Sequence, residues 1–129
     1  MNWYVWIVVY TLIRMRRNIT MNRLTVVNAL QSLKDEKEPF KELFSHGSLS
    51  VEIYKPDGVD LQQPHNRDEL YVIASGSGFF VNGEFRERCE KGEVLFVPAW
   101  VVHRFEKFTE DFSTWVFFYG PVGGEEIAE

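Results

Sequence analysis

At 129 residues the chain is one domain's worth, long enough to bury a core without disulfide or metal staples. Hydrophobic residues at 45% and charged residues at 26% exclude a disordered chain, and a net charge of −5 argues against nucleic acid, whose phosphates need clustered Lys and Arg. The single cysteine, Cys89, excludes an intrachain disulfide framework and fits a reducing, cytoplasmic setting.

The first element in chain order is an apolar run, Trp3 to Ile13, followed by Arg14, Arg16 and Arg17. Eleven residues are too few to span a bilayer, which takes about 20, so no membrane partner is expected. A secretory signal carries its positive charge before the apolar part, not after it. The run is rich in strand formers, which allows an added β-strand. The preferred reading is that residues 1–20 are an N-terminal extension from a misplaced start, and that Met21 opens a single domain over residues 21–129. Val26, Val27, Leu30 and Leu33 then recur at helical spacing, predicting a short amphipathic helix over Leu24–Glu36 that ends before Pro39.

Beyond Pro39 the pattern changes to short β-rich runs separated by turn residues. Strands are predicted at Ser48–Tyr54, Glu69–Ala74, Phe79–Val81, Phe85–Cys89, Val94–Val97, Val101–Glu106 and Phe112–Tyr119. Asn82-Gly83 reads as a type I′ hairpin turn. Regular short strands of this kind argue an all-β sandwich or barrel. Trp115, Phe117 and Tyr119 alternate with Val116 and Phe118, so the last strand is apolar on both faces. A strand of that kind needs a cover on each side, and a homodimer across sheets is the simple source of one. The segment after Gly120 reads as a frayed polar end.

Two stretches carry candidate chemistry. In Gln62–Gly76, an extended backbone would put Gln63, His65 and Glu69 on one face, with Tyr71 and Ile73 following them inward. In Gly92–His103, Pro98 breaks a strand and His103 lies in the next, with Phe105 on its side. Imidazole and carboxylate aimed at one interior are the makings of a metal site, and Tyr71, Ile73 and Phe105 would line an apolar pocket around it. Spacing alone does not bring His65 and His103 together. Arg67 and Asp68 read as solvated charges, His46 as a surface residue in a turn, and Cys89 as a strand cysteine without a role. No phosphate loop or dinucleotide fingerprint is present, and no second acid/base pair stands out.

These two stretches resemble the two motifs of the cupin superfamily. His65 falls on the second His of the first motif's His-x-His and Gln63 on the first; Glu69 and Gly76 match its Glu and closing Gly, with Gly58 one residue nearer than usual. Gly92, Pro98 and His103 match the second motif in register, while Trp100 stands for a Gly and Lys107 for an Asn. Gln62, Pro64, His65, Asp68 and Glu69 also resemble a small bacterial subgroup reading QxPHxxDE. The resemblance covers about Ser48 to Tyr119 and implies a jelly-roll β-barrel in which the two motifs meet. It further implies that His65, Glu69 and His103, with Gln63 nearby, hold a divalent metal such as Fe, Mn, Zn or Ni. The metal would face a small organic ligand or substrate, with dioxygenase- or isomerase-like chemistry if the protein is an enzyme. The alternative is a cupin that binds a small ligand without catalysis and without a tight metal.

Overall fold

Residues 23–128 are described by the structure, a computed structural model; the apolar run and the proposed extension at residues 1–20 lie outside them. Thr25 starts the helix α1 (Val26–Leu33), its hydroxyl accepting from the amide of Asn28 at 3.2 Å. The helix stops earlier than the hydrophobic spacing predicts. The amides of Lys34 and Glu36 turn back to the carbonyls of Gln31 and Leu33, which tightens the last turn and ends the ladder. Ala29 and Leu33 are its buried residues, and it packs on the first two strands. Among the described residues no helix is long and apolar enough to cross a membrane.

Eight strands follow: β1 (Phe40–His46), β2 (Leu49–Tyr54), β3 (Asp68–Ser75), β4 (Ser77–Asn82), β5 (Phe85–Glu90), β6 (Val94–Val97), β7 (His103–Glu106) and β8 (Ser113–Tyr119). They form two antiparallel sheets, ordered β1-β2-β8-β3-β6 and β5-β4-β7. This is the expected all-β jelly roll. Strand β1 has no counterpart in the sequence reading. Among the described residues it is an edge strand paired only with β2, largely solvated, and its FKELFSH sequence has no apolar alternation to announce it. The β4–β5 turn also differs from the type I′ expectation. Asn82 pairs with Phe85 inside the ladder, so the turn is Gly83-Glu84, with positive φ at Gly83 alone; that is the pattern of a type II′ turn.

The core lies between the sheets, where Tyr54, Tyr71, Ile73, Phe80, Phe105, Phe112 and Val116 pack together. Phe105 and Phe112 are almost fully buried, each contributing roughly 2 kcal/mol relative to an exposed ring. On the opposite, outer face the larger sheet carries apolar residues in register. Phe96, Leu70, Phe117 and Val51 form one cross-strand row, and Val94, Val72, Trp115 and Ile53 the next. Helix α1 packs over the β1–β2 end of this face, where Val51 and Ile53 are buried; Val94 and Phe96 at the other end are exposed.

Two expectations about polar segments are corrected here. Asp68 is buried, not solvated: its carboxylate accepts the amides of Ala99 at 2.9 Å and Glu125 at 2.7 Å. The same contacts tie down part of the segment after Gly120, since Gly123 also donates to the carbonyl of Asn66 at 2.7 Å. The tail is therefore docked through Glu125, because a buried carboxylate and a free carbonyl supply acceptors for its amides.

Candidate metal centre

Glu69 lies one residue into β3 and His103 starts β7, on strands of different sheets. His65 is not on the strand as the parity argument assumed. It lies in the irregular segment before Asp68 and reaches Glu69 from the loop. What holds that loop is a latch from the other motif: the amide of Trp100 donates to the carbonyl of His65 at 2.7 Å. The two stretches that spacing could not join are thereby brought together.

The result is a tight cluster. Ligand atoms of His65, Glu69 and His103 all lie within 4.8 Å of one another. His65 Nδ1 sits 2.8 Å from Glu69 Oε2, His103 Nε2 sits 3.2 Å from the same oxygen, and the two imidazole centroids are 5.0 Å apart. Glu69 and His103 are buried, whereas His65 is partly exposed.

Protonation is the informative detail. His103 Nδ1 lies 2.8 Å from the carbonyl of Val101, and only a protonated nitrogen can donate there. The neutral ring therefore turns a bare Nε2 toward Glu69. Neither His103 Nε2 nor Glu69 Oε1 has a hydrogen-bond partner among the described residues, although both are buried. A lone pair facing a carboxylate in a dry site is unfavourable unless a cation lies between them. A proton serves: burial works to lower the pKa of His103, but Glu69 and the Val101 carbonyl outweigh it and hold it above the ordinary value. Burial likewise works to raise Glu69, and the close His103 and His65 rings, attractive to its charged form, outweigh that and hold it down. A divalent metal serves too, and two imidazoles with one carboxylate are a fitting donor set for it.

A cavity of about 360 Å³ opens beside the cluster, with Gln63, His65, Glu69 and Tyr71 on its wall. Gln63 is exposed there, and no short contact joins it to the three clustered side chains. Tyr71 lines the cavity; Ile73 and Phe105 pack in the core behind it.

Sequence reasoning missed the network under this wall. Buried Asp60 accepts the hydroxyl of Tyr54 at 2.6 Å, the side-chain amide of Gln62 at 2.6 Å and the amide of Phe105 at 2.8 Å. Gln62 in turn accepts the Tyr71 hydroxyl at 2.9 Å, so Gln62 is the amide that fixes the wall. Burial, then the nearby Glu69 charge, pushes the Tyr71 phenol well up. No local signal marks Asp60, which sits in a loop far in sequence from its partner on β7. Glu52 was missed as well: it occupies the inward side of β2 and lines the same cavity.

Comparison with known proteins agrees with this architecture. The chain is 36% identical over 76 residues to the uncharacterized protein SCO3923 of Streptomyces coelicolor, a match spanning 57% of this chain and 72% of that one. A cupin-2 domain containing protein from Shewanella frigidimarina superposes with a TM-score of 0.62 at 16% identity, covering 78% of this chain and 97% of the other. The DMSP lyase DddQ from Ruegeria pomeroyi gives a TM-score of 0.50 at 25% identity, covering 57% of this chain and 39% of that enzyme. A family model described as the cupin domain matches residues 50–118. That span is more than half of the sequence and includes His65, Glu69 and His103, so the chain belongs to the cupin family.

Proposed function

We propose that this cupin binds a divalent metal ion through His65, Glu69 and His103 and presents it to a small organic molecule in the adjoining cavity. The observation that carries the reading is the pair of buried, unpartnered atoms, Glu69 Oε1 and His103 Nε2, converging with His65. Bound there, Fe, Mn, Zn or Ni would supply Lewis acidity, and a redox-active one would also supply oxygen chemistry of the dioxygenase type. The chain's own residues do the rest. Val101 fixes the tautomer of His103, Trp100 holds the His65 loop, and Gln62 orients the Tyr71 hydroxyl on the wall. Gln63, on the same wall, is a weak fourth donor or a hydrogen-bond partner for what the metal carries. The likeness to a DMSP lyase supports small-molecule chemistry in the barrel, although this chain spans well under half of that enzyme. A non-catalytic cupin that holds a small ligand without tight metal is the rival reading. The apolar rows on the outer sheet face further support a homodimer.

Elemental analysis of untagged protein tests the metal directly. The expected result is near-stoichiometric Fe, Mn, Zn or Ni, with His103→Ala and His65→Ala each weakening affinity by at least about 100-fold. Protein that emerges with traces of mixed metals, unchanged in the variants, would leave the rival standing.

A further inference from the structure

We propose that the cavity selects a small organic cation, its positive nitrogen held by Glu52 against the aromatic walls of Phe40, Tyr54 and Phe118. The proposal deepens the metal reading, on which it rests only for the ligand's other end. Glu52 lines the cavity together with those three rings, His65 and Glu69. It is half-buried, and among the described residues it has no hydrogen bond or ion pair. It also stands outside the group of side chains close enough to share one metal ion. A carboxylate in that position has lost part of its water and gained no partner.

Its neighbours make the lack of a countercharge worse. Glu42 is directly opposite Glu52 in the β1–β2 ladder, and Glu69 presents an unpartnered, almost fully buried oxygen from the cavity wall. Burial first, then Glu42 and Glu69, push the Glu52 carboxyl above the usual carboxylate range. His65 and Arg67 work the other way, but His65 is held by Glu69 and Arg67 is committed elsewhere. Arg67 donates to the Ser48 carbonyl and the Ser50 hydroxyl, its guanidinium lies 5.9 Å from the Phe118 ring centroid, and it is not on the cavity wall. The hydroxyls of Tyr54 and Tyr71 are spent on Asp60 and Gln62, so neither donates to Glu52.

The wall thus offers two carboxylates, one imidazole, four aromatic rings and no Lys or Arg. Negative potential with aromatic faces is what recognises a quaternary or primary ammonium group. The same wall repels an anion at this end.

Choline and 3,3-dimethylbutan-1-ol test this cleanly, because they share shape and hydroxyl and differ in charge. Titration calorimetry on the full chain, metal-loaded and chelated, should find choline bound at least about ten-fold more tightly than the neutral alcohol. Glu52→Gln, which removes an unpaired charge and no side-chain hydrogen bond, should cut that preference to about three-fold or less without lowering the unfolding midpoint. Glu52→Asp, retaining the charge, should keep a preference in the same direction. Persistence of the preference in chelated protein, or in protein that never takes up metal, supports the cation site even where the metal reading fails. Equal binding of the two alcohols, no choline binding at millimolar concentration, or a preference untouched by Glu52→Gln overturns the cation site and leaves the metal reading intact.

Discussion

Trp100 and Lys107 are the non-glycine residues with left-handed backbone among those described, at φ 68° and 46°. They occupy the two positions where the second cupin motif has Gly and Asn, residue types that enter that region at low cost. At these two positions the backbone geometry accounts for a Gly and an Asn. An ordinary L-residue in this region is strained by about 1–2 kcal/mol, and Asn relieves part of that through local hydrogen bonding. Lys107→Asn should therefore raise stability by about 0.5–1 kcal/mol, read as a higher urea midpoint at unchanged slope. A lower midpoint would mean that the Lys107 side chain contributes more than its backbone costs. Trp100→Gly is a poorer test. Glycine relieves the same strain but loosens the unfolded chain by about 0.4–1 kcal/mol, so the two effects nearly cancel.

Also at the residue scale, Glu69 and His103 give the metal-free protein a defined pH dependence. Glu69 is held below its ordinary value, so its contribution is present above the unfolded pKa of about 4.3 and is lost as pH falls through the folded one. His103 is held above its ordinary value, so its contribution is full below about 6.5 and is lost as pH rises through the folded pKa. The pair therefore stabilises the chelated protein most between those limits. Urea unfolding with chelator present should give a higher midpoint at pH 6 than at pH 8.5, and His103→Ala should remove the difference. Identical wild-type midpoints would contradict the pairing. With metal bound the order reverses, because the metal needs deprotonated imidazole.

At the scale of elements, strands with a buried and a less buried face were legible, because side-chain alternation follows directly from the pleat. β3 is of this kind, and its inward residues, Glu69 and Tyr71, were legible with it; β8, apolar on both faces, offered no alternation from which to choose the inward side of Val116. Elements held by backbone contacts were not legible. Among the described residues β1 pairs on one side only and stays largely exposed, so it leaves no apolar period. His65 was assigned to a strand it does not join, yet its cluster forms because a loop latch does what strand parity was expected to do. Asp68 was misread for a related reason. It does lie opposite Glu69 in parity, but the chain after Gly120 and the Pro98–Val101 loop close over it. Asp68→Ala should cost about 2–4 kcal/mol, since two amides lose a charged acceptor in a buried setting. Limited proteolysis should then cut sooner after Gly120. Wild-type cleavage rates in the variant would mean that the tail is held by something other than this carboxylate.

For the whole molecule, the outer face of the larger sheet poses a problem that the described residues do not solve. Its two apolar rows run across β2, β8, β3 and β6, and among the described residues helix α1 covers them only at the β1–β2 end. Exposure rises along the rows, from 0% at Ile53 to 62% at Val94, with Phe96 at 47%. Sequence alone suggested a cover for β8; the register extends the region that the described residues leave uncovered to β3 and the edge strand β6. A second copy related by a two-fold axis presents the same rows to itself, and sheets packed face to face lie about 10 Å apart, the thickness of one interdigitated layer. The cavity opens on the other side of the sheet, so assembly and metal binding separate experimentally. Light scattering at micromolar concentration should give twice the chain mass for the wild type. Phe96→Lys, placing a charge at the exposed end of one row, should give a monomer with metal content and unfolding midpoint close to wild type. A wild-type monomer, or a Phe96→Lys protein that remains dimeric, would remove this face from the interface.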